Sequence, residues 1–147
     1  MEHEPLLPPG IHDITEDQLD NHFLSSFSTS TTRQPLINGL KSFIAFLRKL
    51  GIPCEMWIDG SFTTNKVDPN DIDLVVFASE SDVNQLDSDK QLLLANLIDR
   101  ASSKRRFGCD VLFAVAEDFE MRSYWRGWYG FDRQERPKGV AKIMVTS

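Results

Sequence analysis

The sequence lacks the usual features of exported and membrane-bound proteins. It has two cysteines in 147 residues, far from the cysteine density of a small disulfide-rich domain. No apolar run approaches the ~20 residues that a transmembrane helix needs. The acidic, proline-rich start lacks the basic and apolar regions of a secretory signal. We therefore expect a cytoplasmic protein without a membrane partner, in which Cys54 and Cys109 are reduced and buried.

The sequence also lacks the motifs of a structural zinc site. It contains no C-x-x-C pair, and its three histidines, His3, His12 and His22, do not have the spacing of zinc ligands. A metal site in this chain would therefore have to be built from oxygen ligands.

Basic residues are scarce in the first two thirds of the chain. Residues 1–99 carry 16 acidic and 6 basic side chains, whereas residues 100–147 carry 6 acidic and 10 basic ones, for a net charge of −6. Duplex binding depends on neutralising phosphates, so no sequence-specific DNA binding is expected. The basic C-terminal part could receive a polyphosphate or a nucleic-acid end, or it could be an ordinary solvated surface.

The length favours one domain. We divide it into an N-terminal arm with a short helix (1–34), a core (35–116) and a C-terminal extension (117–147). Residues 1–14 are predicted to be extended or coiled, because Pro8-Pro9-Gly10 excludes a regular helix. Thr15 and Gln18 then fit a capping box at the start of the short helix, and the serine- and threonine-rich residues 25–32 predict a loop.

Helical spacing of apolar residues predicts two longer helices. The first runs from about Pro35 to Leu50 and ends at Gly51. The second covers 87–103, with Leu93, Leu94 and Leu97 among the residues of its apolar face, and a basic turn follows at 104–108. Residues 118–130 favour a third helix.

Apolar runs predict four strands: 54–58, 71–77, 109–115 and 140–145. Together with the helices they indicate an α/β (α+β) fold, in which helices pack on one face of a small mixed β-sheet.

The polar residues at the strand ends are the main functional signal. Gly60 and Ser61 follow the first strand, Asp71 and Asp73 open the second, and Asp110 interrupts the apolar third strand. Residues at i and i+2 of a strand project to the same face, so the first two carboxylates lie side by side. Adjacent carboxylates repel each other unless a cation or proton lies between them, and Mg²⁺ prefers such oxygen ligands.

The order WIDGS, FTTNKVDPN, DIDLVVF and CDVLFA resembles the nucleotidyltransferase superfamily, which has the polymerase-β-like fold. The resemblance covers about residues 36–116 and is strongest with the minimal nucleotidyltransferases. It implies transfer of a nucleoside monophosphate from a nucleoside triphosphate to an acceptor hydroxyl.

The resemblance also implies roles for individual residues. Asp71, Asp73 and Asp110 would be the catalytic carboxylates and would hold two Mg²⁺ ions, with Mn²⁺ as a substitute. Gly60 and Ser61 would bind the terminal phosphates, with Lys66 reaching a phosphate from the loop. Short proteins of this kind resemble antitoxins or defence proteins of bacterial two-gene systems, so the acceptor would be a toxin-like partner protein or an RNA end.

Other interpretations stay open from the sequence. Asp71 and Asp73 could mark only a turn exit and strand start, and Asp110 could pair with Arg105 or Arg106. The aromatic residues of 121–131 could stack on bases or pack on the sheet. The fold could also persist in an inactive protein that binds a nucleotide or a partner, and a nuclease with the same acidic cluster is a third alternative.

Overall fold

The computed structural model describes residues 4–118, 120 and 139–146. Its helices are α1 (Leu19–Phe23), α2 (Arg33–Leu50), α3 (Glu80–Gln85), α4 (Ser88–Leu97) and α5 (Arg100–Phe107). Its strands are β1 (Gly10–Asp13), β2 (Cys54–Asp59), β3 (Ile72–Ala78), β4 (Cys109–Val115) and β5 (Gly139–Val145). Nearly all of the predicted helix at 118–130, and the aromatic residues of 121–131, lie outside the described residues.

The strands form one mixed sheet in the order β1-β5-β2-β3-β4. The outer pairs β1–β5 and β3–β4 are parallel, and β2 is antiparallel to both of its neighbours. Helices and a mixed sheet share one core, which confirms the predicted α+β class. None of the helices in the described residues is both long and apolar enough to cross a membrane.

Apolar side chains cover both faces of the sheet. The larger cluster joins the buried side of α2 to β2, β3, α4 and α5, as the helical spacing from Leu36 to Leu50 predicted. A smaller cluster on the opposite face contains Trp57, Val75 and Phe77. Strand β3, which lies between β2 and β4, is therefore buried on both sides, in keeping with an apolar run that has no polar alternation.

Helix α5 lies unusually close to α2. A Cβ atom placed on Gly39 would lie 2.0 Å from the carbonyl oxygen of Phe107, so only glycine permits this approach. The hydroxyl of Ser103 donates to the carbonyl of Cys109 over 3.0 Å. These contacts fix α5 against the start of β4.

Several predicted boundaries are confirmed. The Gln18 side chain accepts the N–H of Thr15 over 2.9 Å, as in the predicted capping box. Gly51 is the left-handed C-cap of α2, and β4 covers the predicted residues 109–115.

Other predictions about the elements are wrong. The helix expected over 87–103 is two helices, because Asp99 accepts the N–H of Ser102 over 2.9 Å and starts α5 there. Leu93, expected on the buried face, is 56% exposed. The basic residues expected in a turn belong to the last turn of α5. Within the N-terminal arm, which was predicted to be extended or coiled, residues 10–13 are extended and form strand β1, which pairs with β5.

Both cysteines are free and buried, as predicted. Burial raises the pKa of the Cys54 thiol to about 12, helped by Asp82, and burial followed by the charge of Asp71 does the same for Cys109. We expect neither thiol to react with iodoacetamide at pH 8 in the folded protein, because the thiolate is the reactive form. Mass spectrometry should find two adducts after unfolding in guanidinium and none before it, and rapid labelling of the folded chain would contradict this placement.

Candidate functional site

Three aspartates meet where β3 and β4 begin. Asp73 of β3 and Asp110 of β4 are register partners in the parallel pair, and Asp71 lies two residues before Asp73, on the same face. One carboxylate oxygen from each residue lies within 4.8 Å of those from the other two, and all three side chains are half-buried. The spacing in the sequence predicted this convergence, whereas the roles of the three residues in catalysis stay a prediction.

The end of β2 reaches the same place. Because β2 is antiparallel to β3, its last residue, Asp59, is the register partner of Asp73. Asp59 is 1% exposed, and its Oδ1 accepts the hydroxyl of Thr63 over 3.2 Å. Asp59 thus holds the turn that follows β2.

Gly60 forms the wall of the site beside Asp73. Its φ is +84° and its ψ is −161°, a conformation that is essentially confined to glycine. A Cβ atom at this position would lie 2.3 Å from Oδ2 of Asp73. The glycine therefore lets the main chain approach the carboxylate directly, and a side chain here would occupy the space beside it.

Replacing Gly60 with alanine should disturb both the fold and the site. We expect the free energy of unfolding to fall by about 1–3 kcal/mol from backbone strain and the affinity for Mn²⁺ to fall because the Asp73 carboxylate must move. Urea unfolding and Mn²⁺ titration measure the two effects.

Gly51 provides the matched control for this substitution. It also has a positive φ, +75°, but no atom in the described residues lies within 4 Å of an added Cβ. We expect Gly51→Ala to cost about 1 kcal/mol and to leave Mn²⁺ binding unchanged. Equal Mn²⁺ affinities for the two variants would show that Gly60 does not shape the site.

Ser61 and Lys66 lie in the connection between Gly60 and Asp71. Ser61 opens a 3-10 turn, and its carbonyl accepts the hydroxyl of Thr64 over 2.7 Å. Lys66 takes part through its backbone, since its carbonyl accepts from Arg33 over 2.7 Å. Among the described residues neither side chain forms a hydrogen bond or ion pair with the three aspartates, and their predicted phosphate-binding roles stay predictions.

The buried side chain of Arg33 holds this connection in place. The side chain is 0% exposed. Its Nη1 donates to the carbonyls of Phe23 and Phe62 over 2.9 and 2.8 Å, and its Nη2 donates to those of Thr64 and Lys66 over 2.7 Å each. Burial lowers the pKa of Arg33 to about 10, against the opposing charge of Asp68, so the guanidinium is charged at neutral pH.

The ring of Phe27 adds a second kind of contact, because the Arg33 guanidinium carbon lies 3.7 Å from its centroid. The helix was expected to begin only near Pro35, which left Arg33 in a loop. A charged side chain is rarely fully buried, so composition gave no signal for this anchor.

Asp68 ties the same connection to the serine- and threonine-rich loop. Its Oδ1 accepts the backbone N–H of Thr31 over 2.7 Å and the hydroxyl of Ser30 over 3.1 Å. The hydrogen bond from the Thr31 backbone is the main cause that keeps the pKa of Asp68 below its ordinary value. Together Arg33 and Asp68 fix the connection at both its start and its middle.

Two basic side chains of α5 lie on the aspartates. Arg100 donates from Nη2 to Oδ2 of Asp110 over 3.0 Å and from Nε to Oδ1 over 2.5 Å, and Lys104 lies 3.2 Å from Oδ2 of Asp71. An ion pair of Asp110 was foreseen, but with Arg105 or Arg106, because a helix was not expected to continue through these residues. The hydrogen bond from Arg100 lowers the pKa of Asp110 despite its partial burial. A lowered pKa keeps Asp110 ionised, as a metal ligand must be, and weakens it as a proton acceptor.

The donor set fits a hard divalent cation. Three carboxylates supply only oxygen atoms, which Mg²⁺ and Mn²⁺ prefer, and Gly60 keeps a side chain out of the space beside Asp73. The carboxylates are only half-buried, so a substrate could reach them and supply further ligands. The arrangement can therefore bind a divalent cation and, next to it, the phosphate oxygens of a substrate.

Comparisons with known proteins give the family of the chain. No curated protein and no solved structure matches it. Residues 1–144 match a protein family described as "Family of unknown function (DUF6932)", and the chain belongs to that family.

Proposed function

We propose that this protein is a metal-dependent nucleotidyltransferase, which transfers a nucleoside monophosphate from a nucleoside triphosphate to an acceptor hydroxyl. One observation carries the proposal: oxygens of Asp71, Asp73 and Asp110 lie within 4.8 Å of one another, beside a turn whose glycine a side chain would block. The resemblance of the motif to the nucleotidyltransferase superfamily agrees with this geometry.

In the proposed reaction the acceptor oxygen forms a bond to the α-phosphorus. The bond from the α-phosphorus to the bridging oxygen of the β-phosphate breaks, pyrophosphate leaves and the hydroxyl proton passes to solvent. Mg²⁺ held by Asp71, Asp73 and Asp110 would neutralise the charge on the entering and leaving oxygens. Gly60 would let phosphates approach the main chain, and Arg33 would keep the turn in place through its hydrogen bonds to the backbone.

The acceptor is proposed to be a partner protein or an RNA end. The described residues form one sheet with its helices, and no second domain that could hold a large acceptor is found among them. A partner that brings its own hydroxyl to the site would meet this need. The product of a neighbouring gene is therefore the first acceptor to test, as in a two-gene toxin–antitoxin or defence system.

The experiment uses the purified chain with each of four α-labelled nucleoside triphosphates, Mg²⁺ or Mn²⁺, and total RNA or the neighbouring gene product as acceptor. We expect transferred label and released pyrophosphate in equal amounts, both lost with EDTA and in Asp71→Asn. Transfer that persists in EDTA, or that Asp71→Asn leaves unchanged, would contradict the proposal.

A second candidate is a non-catalytic protein that binds a nucleotide or a partner. The ion pairs of Arg100 with Asp110 and of Lys104 with Asp71 favour it, because they neutralise carboxylates without any metal. Calorimetry separates the two candidates when it accompanies the transfer assay. Nucleotide binding that needs no metal and survives Asp71→Asn would favour the non-catalytic protein.

A further inference from the structure

Two positively charged side chains of helix α5 form ion pairs with two of the three aspartates. Arg100 and Lys104 are four residues apart, so they lie one turn apart on the same side of the helix. Arg100 occupies both oxygens of Asp110, and Lys104 contacts an oxygen of Asp71. Two of the proposed metal ligands are thus already paired with positively charged side chains.

The two cations can leave without any movement of the helix. The Arg100 and Lys104 side chains are 65% and 57% exposed, whereas their carboxylate partners are 16% and 22% exposed. The backbone of α5 is fixed by Ser103 and by the close contact at Gly39. Only the ends of two long, solvated side chains need to move.

A divalent cation and the Arg100 guanidinium compete for the same atoms. A bidentate arginine uses both carboxylate oxygens, and two cations at the same carboxylates repel each other. A metal ion at Asp110 therefore displaces Arg100, which remains tethered within one side-chain length of the site. A triphosphate bound to that metal brings phosphate oxygens, for which the guanidinium is well suited.

We propose that Arg100 and Lys104 are exchangeable counterions of this site. Without metal they neutralise Asp110 and Asp71; when metal and triphosphate bind together, they transfer to phosphate oxygens of the triphosphate. The site then binds a metal ion poorly by itself and favours the complex of metal with triphosphate. This inference rests on the proposed function, since it concerns the binding step of the same site.

Calorimetry on Arg100→Ala tests the exchange. One titration uses Mn²⁺ alone and another uses the preformed complex of Mn²⁺ with inorganic tripolyphosphate, which needs no knowledge of the base. We expect the variant to bind Mn²⁺ alone about fivefold more tightly, because an exposed ion pair no longer competes. We expect it to bind the complex about fivefold more weakly, because a charge-assisted contact is lost.

Arg105→Ala is the matched control. Arg105 is an exposed cation on the same helix, so this variant changes the net charge equally. We expect both affinities to stay within about twofold of the wild type, since Arg100 and Lys104 rather than Arg105 pair with the aspartates and an exposed charge is screened by salt. Arg100→Lys retains the charge but not the bidentate contact, and it should shift both affinities in the same directions as Arg100→Ala, by less.

The test depends on the affinity for Mn²⁺ alone and the affinity for its complex with tripolyphosphate changing in opposite directions. A purely structural role for Arg100 would move both affinities the same way, and that result would overturn the inference, as would an unchanged affinity for Mn²⁺ or the absence of Mn²⁺ binding in both proteins. Opposite shifts without any nucleotide transfer would support the exchange while counting against the proposed enzyme. Transfer without opposite shifts would support the enzyme and reject the exchange.

Discussion

Asp73→Asn is expected to lower Mn²⁺ affinity and nucleotide transfer by at least about 100-fold, since even indirect partners of a metal site change affinity by 10- to 100-fold. Asp73 lies at the centre of the site: its register partners are Asp59 and Asp110, and its carboxylate lies against Gly60. Asparagine has nearly the same shape, so it fits the same space while it removes the charge and replaces one oxygen ligand by an NH₂ group. Mn²⁺ titration and the labelled-nucleotide assay measure the loss.

The stability of Asp73→Asn separates a functional loss from a folding defect. Removing one of several neighbouring carboxylates relieves repulsion, so we expect the free energy of unfolding to change by less than about 1 kcal/mol or to rise. Asp89→Asn, at an exposed position in the first turn of α4, is the control; it should leave Mn²⁺ binding unchanged and cost less than about 1 kcal/mol of stability from the lost charge at the helix N-terminus. Full activity in Asp73→Asn would remove the basis of the proposed function.

Arg33→Ala is expected to have the largest effect on stability, a loss of about 3 kcal/mol or more, since a buried carbonyl left without a donor costs ~1–3 kcal/mol and two of its four hydrogen bonds are buried and two part-buried. The four carbonyls concerned belong to Phe23, Phe62, Thr64 and Lys66. Three of them lie in the connection between Gly60 and Asp71, so triphosphate binding should weaken as well. Urea unfolding gives the change in free energy.

Arg48→Ala is the control for Arg33→Ala on the same helix. Arg48 forms an exposed ion pair with Glu16 over 2.8 Å, and such a pair contributes at most about 1 kcal/mol. Arg33→Lys retains the charge with a single ammonium and should recover only part of the stability. Similar losses for Arg33→Ala and Arg48→Ala would show that the buried guanidinium does not hold this connection.

The parts of the fold that the sequence predicted correctly are those with strong local signals. The apolar spacing from Leu36 to Leu50, with glycine at the end, determines α2. The apolar run of β4 has a glycine before it and one polar residue within it. Asp73 lies in β3 and Asp71 comes directly before that strand, two residues away, and an extended backbone places such a pair on one face.

The parts that the sequence did not predict depend on contacts between distant segments. Strand β1 has no strong apolar alternation and exists through its pairing with β5. The break before α5 comes from one side-chain hydrogen bond of Asp99, inside a stretch whose apolar pattern continues. Propensity is a weak guide in both cases, because tertiary or capping contacts override it.

The candidate site divides in the same way. The three carboxylates and Gly60 could be found from spacing and residue type. Arg33 could not be found in this way, because its role depends on hydrogen bonds to backbone carbonyls of two other segments, which only the folded chain brings to it. Arg100 could not be found either. It is the first residue of α5, and the chain has to turn back after this helix before Asp110, ten residues further along, can meet it.

A crystal grown with Mn²⁺ and a non-hydrolysable nucleoside triphosphate gives the most direct measurement. The anomalous signal of Mn²⁺ should lie about 2.0–2.3 Å from oxygens of Asp71, Asp73 and Asp110, as for a hard cation on carboxylates, with Arg100 on a phosphate. Nucleotide bound elsewhere, or Arg100 still paired with Asp110 and no manganese beside it, would contradict a metal-dependent transfer site at these three residues.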